Sequence, residues 1–115
     1  MTQKVTISSR KVGDVLILAV AGRIAFGAGD QDLGEAVRGA LDEGERKVLL
    51  DFSKVEYMDS SGIGELVSCY TTIKNRNGFL RIFGLNAKVF SLMKMTSLHS
   101  VFDTFDTEAE ALKGY

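Results

Sequence analysis

The chain contains no proline, a single cysteine and a single histidine. One cysteine, Cys69, excludes an intramolecular disulfide and fits a reducing cytoplasm. One histidine, His99, leaves too few soft ligands to assemble a His/Cys metal site. Without proline, and with no run of glycine and serine, there is no sign of a linker, and no repeat or low-complexity segment appears either. The longest apolar run, Val15 to Ala21, is far shorter than the ~20 residues a membrane span requires. No basic-then-apolar segment opens the sequence, which argues against a signal peptide. Charge of neither sign dominates: 14 Lys and Arg stand against 15 Asp and Glu, a net −1, so electrostatics make no case for nucleic acid. What is present is ordinary for a globular protein. At 115 residues one domain, 1–115, is expected. A domain of this size buries roughly two-thirds of its unfolded surface, enough for a real core.

Periodicity orders the elements. Val5, Ile7 and Ser9 alternate with polar residues, as an edge strand does. Gly13-Asp14 signals a tight hairpin into Val15–Val20, which is apolar throughout and reads as a strand covered on both faces. Gly22 to Asp30 carries three glycines and reads as a loop. Leu33, Ala36, Val37, Ala40 and Leu41 form one face of a first helix, capped by Asp30 or Gln31 and stopped by Gly44. Lys47–Phe52 is the next strand, followed by Ser53–Tyr57 as a short connection. Ile63, Leu66, Val67, Tyr70 and Ile73 recur at helical spacing, and Gly78 is the expected terminator. A strand at Phe79–Phe83 precedes a helix with Val89, Leu92 and Met93 as its core face. Phe90, Met93 and Met95 cannot all share one helical face, so one of Phe90 and Met95 is expected on the surface, as part of a partner patch. A last strand, Phe102–Phe105, leads to a short helix capped around Thr107. The order predicts an α/β fold: a mixed four- to five-stranded sheet with helices packed mainly on one face.

Met58-Asp59-Ser60-Ser61-Gly62-Ile63-Gly64-Glu65-Leu66 is the most informative stretch. An acidic residue, two hydroxyls and two glycines stand where a strand hands over to a helix. Free N–H groups and the helix dipole favour an anion at such a point, so a serine there is well placed to carry a phosphate. The plain reading is a helix cap, worth about 1 kcal/mol, and a capping hydroxyl can also be a phosphoacceptor. Gly62 and Gly64 each cost up to ~1 kcal/mol in a helix relative to Ala. They either leave the backbone open to a partner or permit close packing on the sheet. Asp59 is open to three readings: a cap, an orienter of the Ser60 hydroxyl, or a ligand for a partner enzyme's metal.

These residues resemble the signature of STAS domains, in particular the bacterial anti-sigma factor antagonists. In that family an Asp-Ser-(Ser/Thr)-Gly-(Leu/Ile)-Gly motif opens the second helix, and the hydroxyl after the Asp is phosphorylated. The resemblance extends through the preceding strand to Asn77–Ile82 and Lys88–Met93. It implies a single STAS-like domain and makes Ser60 the phosphoacceptor, with Asp59, Ser61, Gly62 and Gly64 as its surroundings. It implies partners too: an anti-sigma factor with serine kinase activity, bound while Ser60 is unmodified and released on phosphorylation, and a serine phosphatase that resets the switch. A sigma factor is freed as a result, in the cytoplasm, with no direct contact to nucleic acid or membrane. Arg23, Asp30 and Ile63 are the expected partner-binding residues. One departure stands out: where many members carry acidic residues after the glycine that ends the second strand, Gly22 is followed here by Arg23-Ile24-Ala25-Phe26. The alternative implied is a STAS subunit of a signalling scaffold or transporter assembly in which Ser60 is silent.

An enzyme is not expected. Ser60 lacks the G-x-S-x-G elbow, His99 is remote in sequence, and Gly62-Ile63-Gly64 lacks the Lys-Ser/Thr of a P-loop. Gly27-Ala28-Gly29 is followed by Asp30 and Asp32, which would repel a pyrophosphate. No cofactor or metal is implied. Cys69, beside the helical apolar stripe, reads as a small packed residue.

Overall fold

Val12 pairs with Val15, leaving Gly13 and Asp14 to make the turn, and Gly13 supplies the positive φ of 61° that so tight a hairpin needs. The computed structural model describes residues 5–115. The hairpin joins β1 (Thr6–Val12) to β2 (Val15–Ile24). Then β3 (Lys47–Met58), β4 (Phe79–Phe83) and β5 (Asp103–Phe105) add in parallel, giving the order β1-β2-β3-β4-β5. The helices are α1 (Asp30–Asp42), α2 (Ser60–Asn75), α3 (Ala87–Met95) and α4 (Glu108–Leu112), with a 3-10 turn at Leu98–Ser100.

Alternation along the central strands sorts side chains onto two faces. Leu18, Val20, Leu50, Phe52, Leu80 and Ile82 meet Leu33 and Val37 of α1, Leu66 and Ile73 of α2, and Val89 and Met93 of α3. Val15, Ile17, Leu49 and Phe83 face the other way and are covered by Ala111 of α4, with Leu112 and Tyr115 beside it. Three helices therefore lie on one face and the shortest on the other. The run Val15–Val20 is apolar because β2 is buried from both sides. Cys69 is fully buried, and burial pushes its thiol up to about 12, as befits a packed, inert residue.

Several local expectations are corrected. Ser53–Tyr57 is not a connection but the second half of β3, and β2 continues through Gly22 and Arg23 to Ile24. Two register shifts separate the β2–β3 pairs, between Ala19 and Ala21 and between Gly22 and Arg23. In β3 the buried residues then fall at Phe52, Val55 and Met58, three apart rather than two. Bulges break the period by which a strand is recognised. At α1 neither Asp30 nor Gln31 is the cap. That position is Gly29, at φ 92°, and no side chain caps it; Asp30 starts the helix and accepts the Gln31 N–H at 2.9 Å. At the end of α2 the left-handed residue is Asn77 (φ 62°), not Gly78. The Asn77 N–H donates to the Lys74 carbonyl and the Gly78 N–H to that of Ile73, the paired bonds of a Schellman ending. Gly78 serves packing instead, since a Cβ there would lie 2.7 Å from the Arg46 carbonyl oxygen. Phe90 and Met95 are both exposed, Met95 at 83%.

Candidate functional site

The parallel strands β2 and β3 end side by side, so the segments leaving them are neighbours. The Asp59 N–H donates to the Ile24 carbonyl at 3.4 Å, tying the two exits together. Asp59 is the N-cap of α2. Its Oδ1 accepts the Gly62 N–H at 3.0 Å, satisfying one of the free donors of the first turn. Its Oδ2 accepts the Phe26 N–H at 3.1 Å, from the segment that follows β2. Of the three readings of Asp59, capping is therefore the one the geometry shows, with a second bond that no local pattern announces. Both carboxylate oxygens thus accept backbone N–H groups. Burial acts to raise the Asp59 pKa, but the N–H groups of Gly62, Phe26 and Ser61 outweigh it and hold the carboxyl below the ordinary aspartate value.

Ser60 is the first residue of this 16-residue helix and is exposed. Ser61, next to it, is half-buried. The two glycines divide the roles left open by sequence. A Cβ on Gly62 would lie 2.2 Å from the Ile24 carbonyl oxygen and 3.0 Å from Met58 Cγ, so Gly62 lets the end of β2 press against the helix start. Gly64 is exposed with nothing within 4 Å of an added Cβ, so it leaves backbone open on the surface.

After Ile24 the chain makes a tight turn, Ala25-Phe26-Gly27-Ala28. Ala25 and Ala28 exchange two backbone hydrogen bonds, at 2.8 and 2.9 Å. Gly27 takes φ 69° within it. Phe26 stands at the tip with 82% of its surface exposed. Arg23 pairs with Tyr57 across the β2–β3 ladder, and its guanidinium stacks 4.3 Å above the Tyr57 ring. Arg23, Asp30, Ser60 and Ser61 thus lie at one end of the sheet. Ile63 is not among them as a contact: it is 6% exposed and packs in the core beneath α2. Its helical spacing with Leu66 and Ile73 already marked it as inward-facing, and that stripe overrides its place in the motif. Phe26 was not singled out from sequence, although a lone aromatic beside glycines in a loop was the available signal.

The site is a surface rather than a cleft. A cavity of about 980 Å³ lies between β1 and α1 with Ile7, Leu18 and Ala36 in its walls, and residues 59–64 do not line it. Among the described residues no three His, Cys, Asp or Glu side chains gather to hold a metal.

The Asp59 capping bond makes a measurable prediction. Asp59→Ala removes the cap and is expected to destabilise the protein by about 1 kcal/mol. Because the folded pKa is depressed, the Asp59 contribution is present in full above the unfolded value of ~3.9 and is lost as pH falls through the lower folded value. Thermal midpoints of wild type and Asp59→Asn measured from neutral pH down to acid should therefore converge at the acid end. Curves that stay parallel would refute the assignment.

The family model described as "STAS domain" matches residues 6–111. The anti-sigma-B factor antagonist of Listeria monocytogenes is 33% identical over 61 residues, 53% of this chain and 54% of that protein. The chain thus matches about half the length of that relative. The anti-sigma F factor antagonist of Paenibacillus polymyxa is 27% identical over 103 residues, covering 85% of this chain and 84% of its own. Among solved structures, the Bacillus cell fate determinant SpoIIAA in its phosphorylated form shares the fold. Its TM-score is 0.70 at 16% identity, over 93% of this chain and 96% of that one.

Proposed function

This chain belongs to the STAS domain family, and on that basis, with the geometry around Ser60, we propose that it is an anti-sigma factor antagonist switched by phosphorylation. With Ser60 unmodified it binds an anti-sigma factor that is also a serine kinase, and the sigma factor is freed. The kinase then transfers the γ-phosphoryl group of ATP to the Ser60 Oγ, whose proton is lost, and the complex separates. A serine phosphatase hydrolyses the ester and restores the hydroxyl. The chemistry belongs to the partners; this chain supplies the hydroxyl and the docking surface. The setting is the cytoplasm, where a sigma factor and ATP are available. No helix among the described residues is long and apolar enough to cross a membrane.

The observation that carries this reading is an exposed Ser60 at the N-terminus of a long helix, beside an Asp59 whose carboxylate is already bound. A hydroxyl so placed can be reached by a kinase without unfolding anything. The helix dipole favours the phosphate by ~0.3–1 kcal/mol, against the like charge of Asp59. The relatives named as anti-sigma factor antagonists support the same reading, and a Bacillus protein of the same fold has been solved in a phosphorylated form.

The direct test incubates the chain with the anti-sigma factor kinase and ATP and maps the phosphate by mass spectrometry. Ser61→Ala should be labelled as wild type is, and Ser60→Ala should not; full labelling of Ser60→Ala would refute the acceptor assignment. Arg23 and Asp30 are the proposed specificity residues flanking the acceptor. Reversing either charge should weaken binding about tenfold or more, read by calorimetry. Unchanged affinity would remove this segment from the interface.

A further inference from the structure

Resting on the reading of the Ser60 end as a docking surface, we propose that Phe26 is its apolar anchor, inserting into an apolar pocket of the anti-sigma factor. Phe26 is 82% exposed, whereas its neighbours Ile24 and Ala25 are buried. A large aromatic held in water gains nothing for the free protein, and the gain is realised when a partner covers it.

The backbone beneath Phe26 is held on both sides. Two hydrogen bonds between Ala25 and Ala28 close the turn, and the Phe26 N–H is fastened to Asp59 Oδ2. The other oxygen of the same carboxylate caps the helix that begins with Ser60. Phe26 and Ser60 are therefore two parts of one unit, joined through a single side chain, and a partner seated over the hydroxyl also covers the ring. Little backbone freedom remains to be lost on binding, which is how preorganised anchors reach high affinity. At the ends of β2 and β3 Arg23 stacks on Tyr57, which is 41% exposed, and carries a positive charge. Aromatic residues and Arg are enriched in protein interfaces, and Tyr and Arg are among the residues that carry most of the binding energy there. The matching face on the partner is an apolar pocket bordered by a carboxylate opposite Arg23.

The test is titration calorimetry of the full chain with the purified anti-sigma factor kinase. Phe26→Ala should weaken binding by at least about 30-fold. Phe26→Trp, which keeps a large aromatic, should stay close to wild type. The thermal midpoint of Phe26→Ala should match wild type, since 82% of the residue's surface is already exposed in the free protein. Affinity of Phe26→Ala within threefold of wild type overturns the proposal while leaving the antagonist reading in place. Failure of the wild type itself to bind overturns both. If sedimentation shows a wild-type dimer that Phe26→Ala dissolves, the ring belongs to a self-interface and the proposal also fails.

Discussion

Phosphorylated on Ser60, the protein is expected to bind its anti-sigma factor at least about 30-fold more weakly than the unmodified form, with its fold unchanged. A phosphate brings about −1.5 to −2 charges at pH 7. In the free protein the opposing terms are small. The helix start attracts the anion, Asp59 repels it, and Ser60 is exposed, so water solvates the new charge. At the interface that water is gone. A charge buried without a partner costs about 2–5 kcal/mol, which corresponds to 30-fold or more in affinity. The effect thus comes from desolvation at the contact and needs no rearrangement of α2. Ser60→Ala should bind constitutively, and Ser60→Asp should bind weakly while melting within a few degrees of wild type. Calorimetric titration of the four forms with the anti-sigma factor decides it. Equal affinity of phosphorylated and unmodified protein would exclude the switch.

Gly62→Ala and Gly64→Ala are expected to change stability in opposite directions, although the two glycines lie in the same helical turn. Helix propensity alone favours alanine at both by up to ~1 kcal/mol. At Gly64 nothing opposes that gain, because an added Cβ meets no atom within 4 Å. The substitution should stabilise by about 0.5–1 kcal/mol. At Gly62 the Cβ would stand 2.2 Å from the carbonyl oxygen of Ile24. That oxygen is backbone, tied to the Asp59 N–H, and cannot swing aside as a side-chain tip can. Overpacking of this kind costs about 1–3 kcal/mol, more than propensity returns. Relief requires the exit of β2 to move away from α2, which would strain the Asp59 bond to Phe26 as well. Gly62→Ala should therefore both lower the melting temperature and weaken partner binding, whereas Gly64→Ala should raise the melting temperature. Denaturant unfolding of the two variants side by side would measure this. A neutral Gly62→Ala would mean that β2 and α2 are not in such close contact.

Element order and the site's position were legible in the sequence because both depend on neighbours along the chain. The hairpin at Gly13, the doubly buried run Val15–Val20 and the stripe Ile63, Leu66, Val67, Tyr70 and Ile73 each follow from a local period or a turn residue. Asp59 as a cap is equally local, since donor and acceptor are three residues apart. Tertiary structure decided the rest. The strands β2 and β3 run on past Gly22 and Phe52 because they pair with each other through two register shifts, and bulges erase the period-two pattern. Gly62 and Gly78 are needed for backbone contacts with Ile24 and Arg46, residues distant in sequence. The bond from Phe26 to Asp59 joins positions 33 residues apart. A local pattern reports which conformation a segment prefers, but which backbone amide meets a carboxylate depends on which strands lie side by side, and that is settled only when the sheet pairs.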